Sequence, residues 1–395
     1  MRLAFVADGR SPIARSWIDY FVASGHEVHL LTTRACADLR GLTSQDIVPL
    51  WPRRRPAARD ASGALRSQRN LGAVTTLRHW IGPLLAWRQA GVLRGMLHQI
   101  NPDLVHALRI PFEGMLAAAA SPDAPLVIST WGNDLTLHAP STPIMRWATR
   151  RVLRRAAGLH ADCARDERLA RSWGLDPKCP GLVAPGNGGV RRETFRPGPV
   201  SGDPDFGVPS HAPIVVQPRG LRAYVRSESF FRALPRVLEA APATVFLCPA
   251  MEGVAEAEGW KARLDLGPRL RLLPPLDPGS MAALFRRASV SVSPSTHDGT
   301  PNTLLEAMAC GCLPIAGDLE SIREWIHDGE NGLLVDPRNP QALADAVERG
   351  LKDDALRARA RQINGELVAT RADYDEVMPR AESFYAQVLR ARDRR

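Results

Sequence analysis

The sequence is poor in lysine, in paired cysteines and in long apolar runs. Its 395 residues include six cysteines, of which only Cys310 and Cys312 are close together. This spacing excludes a disulfide framework and a paired-cysteine zinc site, so we expect buried, reduced thiols. No stretch reaches the ~18–20 uninterrupted apolar residues that a membrane span needs. The first apolar run is short and meets Asp8 too early for a secretory signal. These absences predict a cytoplasmic protein.

Positive charge is in excess and is almost entirely arginine. The formal net charge is +9; residues 1–200 carry net +12, whereas residues 201–395 carry net −3. Residues 51–100 alone hold nine arginines and one aspartate. The planar fork of arginine suits phosphate groups. The first half is therefore expected to bind an anionic partner.

Short apolar runs alternate with helix-like intervals in both halves of the chain, which is typical of parallel α/β sheets. The predicted strands are 3–6, 28–32, 104–106 and 126–130 in the first half, and 214–217, 244–247, 270–273, 290–293 and 313–316 in the second. Five prolines between Arg196 and Pro213 indicate a linker. We expect two Rossmann-like, doubly wound domains facing each other across a cleft. Their predicted bounds are 1–196 and 214–372, with a proline-rich linker at 197–213 and a C-terminal helix at 373–395 that has the option of packing back on the first domain.

One strand–loop–helix segment contains the clearest candidates for ligand-binding groups. The strand at 290–293 ends in polar and turn residues, and a helix is predicted to begin near Asn302. The unpaired N–H groups of a helix start form an anion site that needs no side chain. Asp298 stands before this helix and Glu306 about one turn inside it. Two alternatives remain, a turn or capping role for Asp298 and a solvated helix face for Glu306.

Asp298 and Glu306 are separated by seven residues and are followed by the run Ala307-Met308-Ala309-Cys310-Gly311. This segment resembles the acid–seven residues–acid signature of retaining GT-B glycosyltransferases, specifically glycosyltransferase family four (glycosyl transferases group 1). A weaker likeness occurs in the first half, at 102–106, 131–134 and 185–188. The resemblance covers most of the chain and is least at 51–100.

The resemblance implies that the C-terminal domain binds a nucleotide-diphosphate sugar, with UDP favoured, and that the N-terminal domain binds the acceptor. The catalytic candidates are Asp298, Arg219 and His106. The donor-binding candidates are Gly9, Arg222, Tyr224, Arg226, Leu273, Gly299, Thr300, Pro301, Asn302, Thr303, Leu304 and Glu306. The acceptor-binding candidates are Asn133 and Asp134.

Two positions depart from the family pattern. The lysine that usually follows the matched arginine is absent, so Arg222 or Arg226 is expected to supply the second positive charge for the leaving diphosphate. The family's His-x-His pattern is incomplete because Leu108 occupies its second position. His106 therefore has the alternative role of a satisfied histidine at a strand end.

The implied reaction is transfer of a hexose-type sugar to an acceptor hydroxyl with retention of configuration, without a protein nucleophile, cofactor or metal. The Asp203-Pro-Asp205 pair lies in the proline-rich linker without a preceding strand, so we reject it as a metal-binding DxD motif. The acceptor is expected to be a sugar, a glycolipid or another anionic molecule, in the synthesis of cell-envelope polysaccharide, glycolipid or a related glycoconjugate.

Two other function classes compete with this one. A nucleotide-sugar epimerase or a phosphorylase uses the same architecture, although none of the three lysines is placed for a pyridoxal-phosphate Schiff base. A non-enzymatic anion or nucleic-acid binder would also explain the basic charge. Because no nucleic-acid-binding module is recognisable, we expect no nucleic-acid partner.

Residues 51–100 interleave arginines with large apolar residues. Trp80, Leu84 and Trp87 recur near helical spacing, interrupted by Gly82-Pro83. This pattern fits either a peripheral contact with an anionic membrane surface on its cytoplasmic face or a core-facing helix with a solvated arginine face.

Overall fold

The computed structural model describes residues 1–50, 68–198, 202–204 and 206–393. The described chain divides into two compact units. The first comprises residues 1–50, 68–189 and 375–393, and the second comprises the described residues from Val190 to Tyr374. Asp205 and residues 51–67, on which two of the predictions fall, lie outside the described residues.

The first unit is built on a seven-stranded parallel sheet in the order β3-β2-β1-β4-β5-β6-β7. Its strands are β1 (Arg2–Ala7), β2 (Glu27–Thr32), β3 (Ser44–Ile47), β4 (Leu104–Ala107), β5 (Leu126–Thr130), β6 (Gly158–Ala161) and β7 (Gly181–Val183). Its helices are α1 (Pro12–Ala23), α2 (Gln68–Ile100), α3 (Met115–Ala120), α4 (Pro143–Arg155) and α5 (Ala164–Ser172). The central strands β1, β4 and β5 are almost continuously buried, as expected for parallel strands covered on both faces.

The second unit is built on a six-stranded parallel sheet in the order β10-β9-β8-β11-β12-β13. Its strands are β8 (Ile214–Val216), β9 (Val245–Cys248), β10 (Leu270–Leu272), β11 (Val290–Ser293), β12 (Leu313–Gly317) and β13 (Leu333–Val335). Its helices are α6 (Ser227–Ala240), α7 (Ala255–Leu264), α8 (Pro278–Arg287), α9 (Asn302–Ala309), α10 (Pro340–Lys352) and α11 (Asp354–Arg371). In both sheets the strand order reverses beside the first strand of the unit, which gives each unit a doubly wound topology.

The last helix, α12 (Tyr374–Asp393), packs on the first unit. The buried Tyr385 hydroxyl accepts a hydrogen bond from Trp17 Nε1 at 2.9 Å and lies against His106 Nδ1. His106 Nε2 lies 2.8 Å from Ser129 Oγ, which lies 2.8 Å from His160 Nδ1. Burial lowers the pKa of both histidines, that of His160 to about 4, so the network is made of neutral groups.

Two predicted boundaries need correction. The first unit ends at Gly189 rather than at 196. The predicted linker at 197–213 belongs to the second unit, where Asp203 pairs with Arg286 and the side chains of Val208 and Ala212 are buried. Proline richness therefore marks an irregular segment here, but one that is packed against its own unit. Within the described part of the chain, no helix has the length and apolar character required to cross a bilayer.

We predict that Tyr385→Phe destabilises the first unit by about 1–3 kcal/mol, because it leaves buried polar atoms of Trp17 and His106 without a partner. Urea unfolding monitored by circular dichroism measures this cost. Tyr20→Phe is the matched control, since the Tyr20 hydroxyl makes a longer bond of 3.3 Å to the part-exposed Glu382. Equal midpoints for the two variants would contradict the role given to the buried network.

Candidate functional site

The site in the second unit begins where β11 ends. Residues 294–301 join this strand to α9, and Pro301 immediately precedes the helix with φ −70° and ψ 125°. Proline has no hydrogen-bonding side chain, and among the described residues no side chain caps the helix start. The first-turn N–H groups, which begin with those of Asn302 and Thr303, therefore form the positive end of a helix dipole. This geometry suits an anion such as a phosphate group.

A buried ion pair lies beside this helix start. Arg219 Nη1 is 2.9 Å from Asp298 Oδ2, with side-chain exposures of 9% and 11%. Burial opposes the charge of Arg219, but attraction to Asp298, with a smaller contribution from Tyr224, outweighs it and raises the pKa of the guanidinium above its ordinary value. Arg219 is thus a permanently charged group with little access to water.

The loop after β8 places a second arginine at the same point. The Tyr224 carbonyl accepts hydrogen bonds from Thr296 N at 2.8 Å and Thr296 Oγ1 at 3.1 Å, which joins this loop to the β11–α9 loop. Arg219 and Arg222 both donate to the Tyr224 hydroxyl at 3.4 Å. Arg226 is exposed one turn further on, at the start of α6. The structure therefore groups Arg222 and Tyr224 with Arg219.

Glu306 completes the cluster from inside α9. The residue as a whole is partly exposed, but burial of its carboxyl raises the pKa to about 7, against the opposing attraction of Arg219. At neutral pH this carboxyl is poised between its two protonation states. Such a group can accept a hydrogen bond from a sugar hydroxyl when it is ionised.

The backbone between Asp298 and α9 is held by buried polar contacts. Ser321 Oγ donates to the Asp298 carbonyl at 2.7 Å, and Trp325 Nε1 donates to Thr300 Oγ1 at 3.1 Å. The predicted donor residues Gly299, Pro301 and Leu304 are buried in the same segment. The segment that leads into the helix start is therefore held by Ser321 and Trp325.

Leu273, a predicted donor-binding residue, lies just after β10. Its N–H donates to the Cys248 carbonyl at 3.0 Å. Its carbonyl accepts from both Met251 N and Glu252 N at 3.1 Å. The protein itself therefore engages both backbone groups, and the half-buried side chain packs against the core of the second unit.

The remaining predicted residues lie in the first unit. Gly9 follows β1, and its N–H donates to Thr32 Oγ1 at 3.0 Å. A Cβ at Gly9 would lie 2.6 Å from Cys36 Sγ, so glycine is required for this close packing. His106 is fully buried, and both of its ring nitrogens are engaged in the α12 network. The burial of His106 contradicts its expected catalytic contact with substrate. It agrees with the alternative role of a satisfied histidine at a strand end.

Asp134 is also fully buried, at the end of β5. Its carboxylate lies 3.0 Å from Arg109 Nε and accepts from the N–H groups of Ile110 and Trp131, each at 3.2 Å. Burial raises its pKa to about 6, although Arg109 and these N–H groups pull it down. The neighbouring Asn133 is half-buried, and within the described chain its Oδ1 has no hydrogen-bond partner.

Three arginines at the carboxyl edge of the first sheet were not singled out from the sequence. Arg34 follows β2, Arg109 follows β4, and Arg78 lies on α2. Burial and the nearby charges of Arg34 and Arg109 lower the pKa of Arg78, against the opposing attraction of Glu113 and Asp8, so the three arginines lie in a cluster of mixed charge. Arg34 and Arg109 could have been found from the sequence because they stand just after predicted strands. The approach of Arg78 to these two arginines depends on tertiary structure.

One group of residues in the described part of the chain has the donor atoms of a metal site, namely Asp162, Cys163 and Asp166. Asp166 already pairs with Arg165 at 2.7 Å, and Asp162 accepts from Gly132 N at 3.0 Å. These contacts join the start of α5 to the turn that contains Asn133 and Asp134.

Family models match both units. The model described as "Glycosyl transferase 4-like domain" matches residues 9–186, and the model described as "Glycosyl transferases group 1" matches residues 220–353. The chain belongs to the group 1 glycosyltransferases. The second match contains Asp298 and Glu306, the pair on which the resemblance in the sequence rested, and the expected family is confirmed.

Curated relatives of this group 1 chain include D-inositol 3-phosphate glycosyltransferases. The protein of this name from Corynebacterium diphtheriae is 28% identical over 200 residues, which is 48% of this chain and 46% of the relative. The one from Streptomyces scabiei is 27% identical over 67% of this chain and 57% of the relative. The chain spans about half the length of the curated relatives that it matches.

Solved structures match over nearly the whole chain. Sucrose-phosphate synthase from Thermosynechococcus elongatus aligns with a TM-score of 0.74 at 16% identity, covering 99% of this chain and 100% of that one. The Anabaena protein HepE in complex with UDP-glucose aligns with a TM-score of 0.74 at 17% identity, with the same coverage. At these identities the likeness establishes the GT-B fold.

We predict that Glu306→Gln stabilises the second unit increasingly as the pH rises from about 5 to about 8. The unfolded carboxyl ionises near pH 4.5 and the folded one near pH 7, so the wild type loses stability across this window. The amide escapes that loss, and the difference should reach at least about 1 kcal/mol.

Thermal unfolding at several pH values measures this difference. Glu330→Gln, at an exposed carboxyl on a turn of the same unit, is the control and should show little dependence on pH. A difference between Glu306→Gln and wild type that stays constant with pH would contradict the raised pKa.

Proposed function

We propose that this chain is a retaining glycosyltransferase that transfers a hexose from a UDP-sugar to a hydroxyl group of an anionic acceptor. The observation that carries the proposal is the uncapped start of α9 with Arg219, Asp298 and Glu306 around it. Family membership and the UDP-glucose bound in the HepE complex support a nucleotide-sugar donor.

The donor groups of the second unit divide into three roles. The N–H groups of Asn302 and Thr303 hold the diphosphate, and Arg219 and Arg222 offset the charge that develops on it as the glycosidic bond breaks. Glu306 accepts hydrogen bonds from the ribose hydroxyls, and Asp298 accepts from the hexose. Arg222, which shares the Tyr224 hydroxyl with Arg219, takes the place of the family lysine in preference to Arg226.

The chemistry proposed is a same-face displacement. The bond from the anomeric carbon to the diphosphate oxygen breaks, and the acceptor oxygen bonds to that carbon while its proton passes to the leaving phosphate. The positive charges and N–H groups named above stabilise the diphosphate, so the proposal requires neither a metal nor a protein nucleophile. This route retains the anomeric configuration.

An anionic acceptor is proposed from the first unit. Arg34, Arg78 and Arg109 lie near one another, with Asp8 paired to Arg34 and Asp134 to Arg109, and an anionic group on the acceptor would be a further partner for these guanidinium groups. The relatives are named for an acceptor that carries a phosphate, D-inositol 3-phosphate. Asp134 is fully buried and bonded to Arg109, so we assign it the role of holding the partly exposed Arg109 in place for the acceptor. We place the reaction in the synthesis of a glycolipid, polysaccharide or related glycoconjugate in the cytoplasm.

We predict that UDP is released from UDP-glucose only when an acceptor is present, and faster with an inositol phosphate than with inositol. Arg222→Gln should lower the turnover rate about tenfold or more, because it removes a charge from the leaving diphosphate. Arg226→Gln is the matched control and should lower it less than about twofold. A coupled assay of UDP release measures all three proteins.

In the same assay, Asp298→Asn tests the contact proposed between Asp298 and the hexose. It should reduce turnover by at least about tenfold and leave UDP binding within about threefold, because Asp298 is assigned to the hexose. UDP release at full rate without any acceptor would favour a nucleotide-sugar hydrolase and contradict the proposal. Conversion of the UDP-sugar into its epimer without net UDP release would favour an epimerase and contradict it equally. Equal loss in Arg222→Gln and Arg226→Gln would contradict the assignment of Arg222.

A further inference from the structure

A stripe of large apolar side chains lies exposed along α2. Apart from the adjacent Trp80 and Ile81, successive members recur at intervals of three or four residues, which places the stripe along one side of the helix. They are Leu77, Trp80, Ile81, Leu84 and Trp87, with exposures between 37% and 60%. The opposite face of α2 contributes Ala86, Ala90, Leu93 and Leu97 to the core of the first unit. Because the other face of α2 already packs in the core, packing within the described chain does not account for the apolar character of the stripe.

Helix α4 extends this exposed surface and adds positive charge to it. Its Trp147 is 53% exposed and meets Trp87 edge to face, with ring centroids 6.5 Å apart. Five exposed arginines follow along α4, namely Arg146, Arg150, Arg151, Arg154 and Arg155. Across the part of the chain that the structure describes, no carboxylate forms an ion pair with any of the five. An open groove of about 700 Å³ runs along them from Pro140 and Ser141.

We propose that this combined surface, the α2 stripe with the α4 arginines, seats the protein on a bilayer that contains anionic lipid. Tryptophan and leucine beside arginine are the composition of helices that lie in a membrane interface. The apolar side chains enter the boundary between headgroups and acyl chains, and the arginines meet lipid phosphates along the groove. The arginine-rich part of this surface lies on α4, outside the 51–100 segment that suggested a membrane contact in the sequence.

Charge argues against two other occupants. A second copy docking by the same face would bring five arginines against five arginines. Residues 51–67 of this chain carry five arginines and one aspartate, so their charge also fails to complement α4. An acidic protein or a nucleic acid would match the charge, but neither accounts for the stripe of five exposed apolar side chains as well as an acyl-chain boundary does.

This surface is independent of the proposed transferase activity, so binding is measured without a sugar donor. The full chain is sedimented with vesicles of phosphatidylcholine alone, and with vesicles of equimolar phosphatidylglycerol and phosphatidylcholine, at low and high salt. We expect at least tenfold stronger partition onto the anionic vesicles at low salt, and a weaker preference at high salt.

Two variants separate the apolar and charged contributions. Trp80→Ser/Leu84→Ser/Trp87→Ser should weaken binding to anionic vesicles at least tenfold. Arg146→Gln/Arg151→Gln/Arg154→Gln should weaken it about a hundredfold, from about fivefold per basic residue. The matched control Arg232→Gln/Arg236→Gln/Arg338→Gln removes the same charge from exposed arginines of the second unit and should bind like wild type. All changed side chains are exposed, and circular dichroism checks that each variant is folded.

Four outcomes would overturn the proposal. The first is equal binding to neutral and anionic vesicles, and the second is equal loss in the arginine variant and its control. The third is a dimer, detected by sedimentation equilibrium, that the apolar variant abolishes, since this would assign the surface to a second copy. The fourth is tight binding of a single-stranded oligonucleotide with no binding to vesicles, which would assign the arginines to a nucleic acid.

Discussion

The start of α9 is the constraint around which the second unit is arranged. Because Pro301 precedes the helix and offers no capping side chain, the first N–H groups need an acceptor from outside the helix. The backbone before them is fixed by Ser321 and Trp325, so the helix start cannot relax toward a self-capped turn without breaking those contacts. A preorganised donor set of this kind stabilises a developing charge without reorganising when the charge appears.

The charged side chains near that helix start are paired, so they can stay buried when no ligand is bound. Arg219 is buried and would be costly alone, and Asp298 compensates for it within the same pocket of side chains. The negative charge of Glu306, next to them, is only partly offset by Arg219. Its raised pKa reflects the remaining free-energy cost of ionising a buried carboxyl. Polar groups held at such a cost are characteristic of functional sites. The first unit repeats this pattern with Asp134 and with the crowded Arg34, Arg78 and Arg109.

Much of this fold could be predicted from the sequence because its strands are buried on both faces and therefore read as apolar runs. The predicted runs correspond to β1, β2, β4 and β5, and to β8 through β12. The strands β3, β6, β7 and β13 were missed. The sequence of β3, Ser44-Gln45-Asp46-Ile47, is polar and lies at the sheet edge, and the other three strands are only three or four residues long. Proline content misplaced the unit boundary because it reports backbone irregularity and carries no information about packing.

The site was predictable to the extent that its residues are neighbours in sequence. Asp298, Asn302 and Glu306 follow from one strand–loop–helix segment, and Arg219 from its position after β8. The preference for Arg222 over Arg226 depends on a shared tyrosine hydroxyl, and the enclosure of His106 depends on a helix 279 residues further along the chain. Contacts of that kind are set by tertiary packing, which spacing alone does not encode.

A crystal structure of the chain with bound UDP tests the central claim most directly. The account predicts diphosphate oxygens within hydrogen-bonding distance of the N–H groups of Asn302 and Thr303, and ribose hydroxyls at the Glu306 carboxylate. UDP bound elsewhere, or bound with these N–H groups satisfied by the protein's own atoms, would contradict it.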